Sequence, residues 1–127
     1  WITGFAHRTD PQGLGVRDLT SAPSARGAAA AAGTSGDVDV AELHAPFTHQ
    51  ELLLARELRL TGRVRVNPSG GALCANPMFA AGLSRIGHAA AEIMKGRADT
   101  AIAHATSGPA LQQNLVCALA STPDGGR

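Results

Sequence analysis

The sequence predicts a single layered α/β domain. Strand-length segments alternate with helical ones, the chain closes on two apolar runs of strand length, and 127 residues suit one ordinary domain. Residues 1–9 open directly as a strand, and residues 10–22 form a loop rich in Gly, Pro and Asp. From Pro23 or Ser24 to Ala32 the chain is dominated by alanine and stops at Gly33. Alanine has the strongest helix propensity, and glycine suits the left-handed position just past a helix end. Gly33-Thr34-Ser35-Gly36 is a turn cluster, and Val38–Leu43 alternates apolar and polar residues as a half-buried strand does. Thr48-His49-Gln50-Glu51 fits a capping box, with Leu52–Leu60 continuing the helix. Val64 and Val66 mark another short strand, and residues 67–77 form a polar, Gly-rich loop. Asn76-Pro77 reads as a helix start, with Asn as N-cap and Pro at the first helical position. In the helix that follows, Phe79, Leu83, Ile86, Ala90 and Ile93 step by 4, 3, 4 and 3, a single apolar stripe that ends at Gly96. Thr100–Ala105 and Leu115–Ala120 flank Ser107-Gly108-Pro109 and read as a terminal antiparallel pair.

Composition excludes several classes. Apolar residues make up 44% and charged residues 17%, against the ~25% charged of a typical soluble chain. That is too apolar for a disordered segment. No stretch approaches the ~18 uninterrupted apolar residues of a spanning helix, so no membrane partner is expected. A net charge of +1 gives no argument for a nucleic-acid partner. Cys74 and Cys117 stand 43 residues apart without a CxxC pair, against a disulfide framework or a structural zinc site, so no metal is expected. With no signal-peptide pattern at its start, the chain is expected to be cytoplasmic and to be a piece of a longer protein. Alanine fills 25 positions, while Trp1, Phe5, Phe47 and Phe79 are the only aromatics. A core built from such small residues is thin, and suits a layer that packs on something else.

Three segments carry a family resemblance. Ala41-Glu42-Leu43-His44-Ala45-Pro46-Phe47, then Asn67-Pro68-Ser69-Gly70-Gly71 with Asn76-Pro77 and Gly82, then Ala101–Leu119 with its Ser-Gly turn, resemble the C-terminal half of the thiolase superfamily. The likeness is nearest to the sterol-carrier-protein type of thiolase, also called non-specific lipid-transfer protein. It implies a thiolase-like βαβαβαββ half, a layered mixed sheet with helices. It also implies Claisen-type acyl transfer between CoA thioesters of lipid or sterol metabolism, with acyl-CoA as the substrate and no covalently bound cofactor. In that family a cysteine of the other half attacks the acyl group, and the enzymes generally form homodimers.

The resemblance gives His44 the place of an Asn or His that helps hold an oxyanion-hole water. Asn76 falls where the family has the general-base histidine of Gly-His-Pro. An amide can donate a hydrogen bond but cannot take a proton at neutral pH, so the base is lost and a donor is kept. Ala105 or Thr106 stands where the family has its second, proton-shuttling cysteine. His44 and Asn76 are thus the candidate catalytic residues, with Phe47, Gly70, Gly71, Cys74, Ser107 and Gly108 as candidate substrate contacts. For each there is a plainer alternative. His44 can be a structural histidine, Asn76 a helix cap, Gly70 and Gly71 a turn, and Cys74 a stray buried thiol. His104, next to the last turn, can face the site or the core. Arg56, Arg59, Arg63 and Arg65 can meet CoA phosphates or simply be solvated. The altered positions leave a second reading open, an acyl-CoA or lipid binder that has lost thiolysis and works with an OB-fold/zinc-ribbon partner. A retro-aldol activity known in that group relies on tyrosine, and this sequence has none. A non-enzymatic dimerisation layer is the third reading.

Overall fold

Alternate residues of the two closing strands pack on opposite faces of one sheet, which is why both runs are mostly apolar. In the computed structural model, which describes residues 1–34 and 37–125, these are β4 (Thr100–Ser107) and β5 (Gln113–Ala120). They pair antiparallel, with Ala103 opposite Cys117. Ile102 and Val116 join one core cluster, while Ala101, Ala103, Cys117 and Leu119 join the other. Edge strand β1 (Ile2–Thr9) runs antiparallel to β5. On the other side β2 (Val40–Glu42) lies parallel to β4, and β3 (Arg65–Val66) lies parallel to β2. The sheet order is therefore β1-β5-β4-β2-β3. Ser35 and Gly36, half of the expected turn cluster, lie outside the described residues.

Helices cover both faces. The alanine segment forms α1 (Pro23–Ala31) with Pro at its first turn, and its buried Ala25 and Ala28 meet Leu54 of α2 (Thr48–Glu57) in one core. Small side chains let α1 lie close on β1: a Cβ on Gly4 would come within 1.9 Å of the Ala32 carbonyl oxygen. A short α3 (Gly71–Cys74) interrupts the expected 67–77 loop, and α4 (Ala81–Met94) covers the opposite face. No helix among the described residues is long and apolar enough to cross a membrane.

Three local expectations are corrected. No capping box forms, because α2 begins at Thr48 with Phe47 as an uncapped N-cap. The Glu51 carboxylate is taken by Asn67, whose Nδ2 donates to it at 2.5 Å. Asn76 and Pro77 do not start α4 either. They precede a turn in which the Ala80 N–H donates to the Pro77 carbonyl at 2.8 Å, and the helix begins at Ala81. Finally, the apolar stripe of α4 meets the sheet only in part. Ile86, Ala90 and Ile93 pack half-buried against the core beside the buried Ala81, Arg85, Ala89 and Glu92, whereas Phe79 and Leu83 point outward.

Gly82 sets how closely α4 meets the sheet, since a Cβ there would lie 2.7 Å from the Ala105 Cβ. Gly82→Ala is expected to destabilise by about 1–3 kcal/mol through overpacking. Gly87, five residues along the same helix, has nothing within 4 Å of such a Cβ. Gly87→Ala should be neutral or stabilising by up to about 1 kcal/mol on helix propensity. Thermal unfolding of both variants checks the pair, and equal effects would mean the Gly82 contact is not what matters.

Candidate functional site

The C-terminal ends of β2 and β4 lie side by side, the His44 N–H donating to the His104 carbonyl at 3.2 Å. From the end of β2 the His44 ring reaches across to β4, where the Thr106 N–H faces its Nδ1 at 3.4 Å. A nitrogen that accepts from an N–H carries no proton of its own, so Nε2 carries the hydrogen. It donates to Asn76 Oδ1 at 3.1 Å, joining two residues 32 positions apart. With its oxygen engaged, the Asn76 amide has its Nδ2 hydrogens left to offer. Burial holds the His44 imidazole below its usual value, the Arg85 guanidinium pushes the same way, and Asn76 works against both. At neutral pH the ring is therefore uncharged.

His44 and Asn76 lie in the wall of a cleft of about 380 Å³ that also includes Phe47, Gln50, Ser107 and Gly108. Pro46, Met78, Pro109 and Leu111 give it apolar surface. One larger hollow, of about 450 Å³ beside Arg26 and Glu57, lies elsewhere, but it does not include the paired His and Asn. Five of the expected site residues thus share one cleft. Gly70, Gly71 and Cys74 do not line it. Gly70 and Gly71 have φ of 91° and 62° and lead into α3, and the Cys74 thiol is exposed nearby.

The Asn-Pro-Ser-Gly-Gly segment supports the site from behind. The Asn67 side chain accepts the Leu43 N–H at 2.6 Å. Ser69 gives its N–H and its hydroxyl to the two oxygens of Glu42, at 3.0 and 2.7 Å. Arg85 closes the group with an ion pair to Glu42 at 3.2 Å, both side chains being almost fully buried. His104 faces away, with Nε2 donating to Asn114 Oδ1 at 2.8 Å, and is fully buried. Of the arginines weighed for CoA phosphates, Arg65 pairs with Glu92 and Arg56 with Glu57.

One wall of the cleft is the β4–β5 loop. Ala110 and Leu111 there have φ of 50° and 56°, two adjacent left-handed residues without glycine. Such positions cost about 1–3 kcal/mol each and persist only where their surroundings over-determine them. Gln50, Met78 and Pro109 were not singled out as site residues from the sequence, where Gln50 stood only in the helix start after Phe47 and Pro109 only in the Ser-Gly-Pro turn.

No protein-family model matches the sequence, and no curated protein does. Among solved structures, the fold is similar to human mitochondrial 3-ketoacyl-CoA thiolase, with a TM-score of 0.74 and 25% sequence identity. That match covers 95% of this chain and 30% of the thiolase chain. With its five-stranded mixed sheet between helices, the chain is in fold a thiolase-like α/β domain.

Proposed function

We propose that the chain is the C-terminal half of a thiolase-like acyltransferase acting on acyl-CoA of lipid or sterol metabolism, working in the cytoplasm as a homodimer. The observation that carries the reading is the meeting of His44 and Asn76 in one cleft of a thiolase-like fold. The acyl thioester would lie with its carbonyl oxygen toward Asn76. As negative charge grows on that oxygen, the Asn76 Nδ2–H stabilises it, a contribution of about 2.7–4 kcal/mol for one donor in a dry site. His44 keeps the amide turned the right way, and the apolar walls exclude water. The nucleophile comes from a second half, for which the outward Phe79, Leu83 and Met94 of the α4 layer, with Trp1 and Ile2, offer an apolar face.

The amide at position 76 favours a second reading, an acyl-CoA or lipid binder without thiolysis that acts with an OB-fold/zinc-ribbon partner. Cleavage of acetoacetyl-CoA by CoA, assayed in the intact protein, separates the two. A silent wild type and a gain on the order of 10²-fold or more in Asn76→His would show that a lost base is what stops thiolysis. Equal activity in both would refute the role given to Asn76. A silent pair that still binds acetyl-CoA would favour the second reading.

A further inference from the structure

We infer that Arg17 is a positioning residue of this cleft, holding the β4–β5 loop in the shape that admits a CoA thioester; the inference rests on the acyl-CoA reading above. Arg17 is not part of the cleft wall. Its guanidinium reaches the loop from behind, across more than ninety residues of sequence. One nitrogen donates to the Pro109 carbonyl at 2.8 Å and the other to the Ala110 carbonyl at 3.2 Å. Among the described residues no other side chain bonds to these two carbonyls. Beyond them, Asn114 Nδ2 holds the Leu111 carbonyl at 2.7 Å, and the Asp10 N–H holds that of Gln112 at 2.8 Å. The far end of the loop is thus tied to the protein core, and the Pro109–Ala110 end depends on Arg17.

The chemistry of the clamp argues against a purely stabilising role. Arg17 makes no ion pair with any described carboxylate, and its Nε–H is sealed from solvent without a partner. Both carbonyls lie where water could serve them, so what the guanidinium adds is a fixed shape rather than a missing bond. What it secures is the left-handed Ala110-Leu111 pair, beside the Ser107 and Gly108 that face the candidate thioester site. The platform under Arg17 is itself fixed. The Thr20 N–H and hydroxyl both bond Asp18 Oδ1, at 2.9 and 2.6 Å, and the Arg56 guanidinium donates to the Thr20 carbonyl. An arginine at the end of a pinned loop, gripping a strained one, sets geometry.

The experiment uses the intact protein, with acetyl-CoA as the probe in calorimetric titrations and with hydrogen exchange read at backbone amides 108–112. Arg17→Ala should raise exchange there and weaken acetyl-CoA binding about fivefold or more. Its Tm should shift by no more than about 2 °C. Arg17→Lys, which keeps one donor within reach of the loop but loses the forked grip on both carbonyls, should retain part of the exchange protection and part of the affinity, a graded effect that a generally loosened fold would not show. Unchanged exchange in Arg17→Ala, or raised exchange with unchanged binding, overturns the inference. Absence of acetyl-CoA binding in wild type overturns the acyl-CoA reading and this inference with it. Binding in wild type that Arg17→Ala leaves intact overturns the inference alone.

Discussion

Arg85→Met is expected to lower folding stability by about 3–5 kcal/mol, because it leaves the Glu42 carboxylate buried without its counter-charge. Glu42 is fully buried on β2, and Arg85 reaches it from the sheet-facing side of α4. Ser69 satisfies both carboxylate oxygens but brings no charge. Replacing both partners tells a different story. In Glu42→Gln with Arg85→Met, the glutamine oxygen still accepts a bond from Ser69 and no buried charge remains. The double variant should therefore recover most of the loss, as paired replacements of buried ions often do. Urea unfolding of the two single variants and the double variant closes the cycle. A loss below about 1 kcal/mol in Arg85→Met would mean that Glu42 finds relief elsewhere, as surface pairs of small worth do. The same substitution removes a charge that helps keep His44 neutral, so the His44 titration should move up even if the fold survives.

Arg85 also shows where reading the sequence stops. The strands were legible because strand period is local: the alternation at Val38–Leu43 and the apolar runs near residues 100–105 and 115–120 depend only on neighbours. α1 was legible from its alanines and its terminal glycine. On α4, however, two faces are apolar or small. The stripe Phe79-Leu83-Ile86-Ala90-Ile93 is the stronger pattern, yet only its last three residues pack on the core, and the most buried positions are Ala81, Arg85, Ala89 and Glu92. Periodicity finds an apolar face but cannot say which layer it will meet. Arg85 and Glu92 look like solvent-facing residues until their partners Glu42, Arg65 and Arg97 are brought in from other segments. The two failed caps have the same origin. Glu51 was free to cap its own helix until Asn67 claimed it, and Asn76 was free to cap α4 until His44 did. The cleft itself was partly legible through family resemblance, but its β4–β5 wall takes its shape from Arg17, which no motif marks.

Acidification from pH 7.5 to 4.5 should cost wild type about 2–3 kcal/mol more stability than it costs His104→Gln. His104 Nε2 must be the protonated nitrogen, because Asn114 Oδ1, which it faces at 2.8 Å, can only accept. Asn114 is fixed in that sense, since its Nδ2 donates both to Ser24 Oγ and to the Leu111 carbonyl, each at 2.7 Å. Nδ1 therefore carries a lone pair, sealed in the core with no partner. A second proton would put an unpaired cation there. Burial accordingly pulls the His104 pKa from 6.5 to about 4, Asn114 works the other way, and the nearby His44 adds to the depression. The unfolded chain takes up this proton near pH 6.5 and the folded chain only near pH 4. Between those values the unfolded state binds more protons, so stability falls as pH falls and is fully retained above the window. Asp10, at the far end of the Asn114–Ser24 chain, bonds Ser24 rather than the ring and offers it no counter-charge. Carboxylates with depressed values, such as Glu92 at about 2 between Arg97 and Arg65, begin to lose their contribution only at about pH 5 and do so in both proteins alike. The His44 shift has the same sign as that of His104 and is common to both proteins, so the difference between them isolates His104. Urea unfolding at pH 7.5, 6 and 4.5 measures it. Parallel curves for the two proteins would mean that the core admits the second proton, and that the unpartnered nitrogen is not the barrier its burial implies.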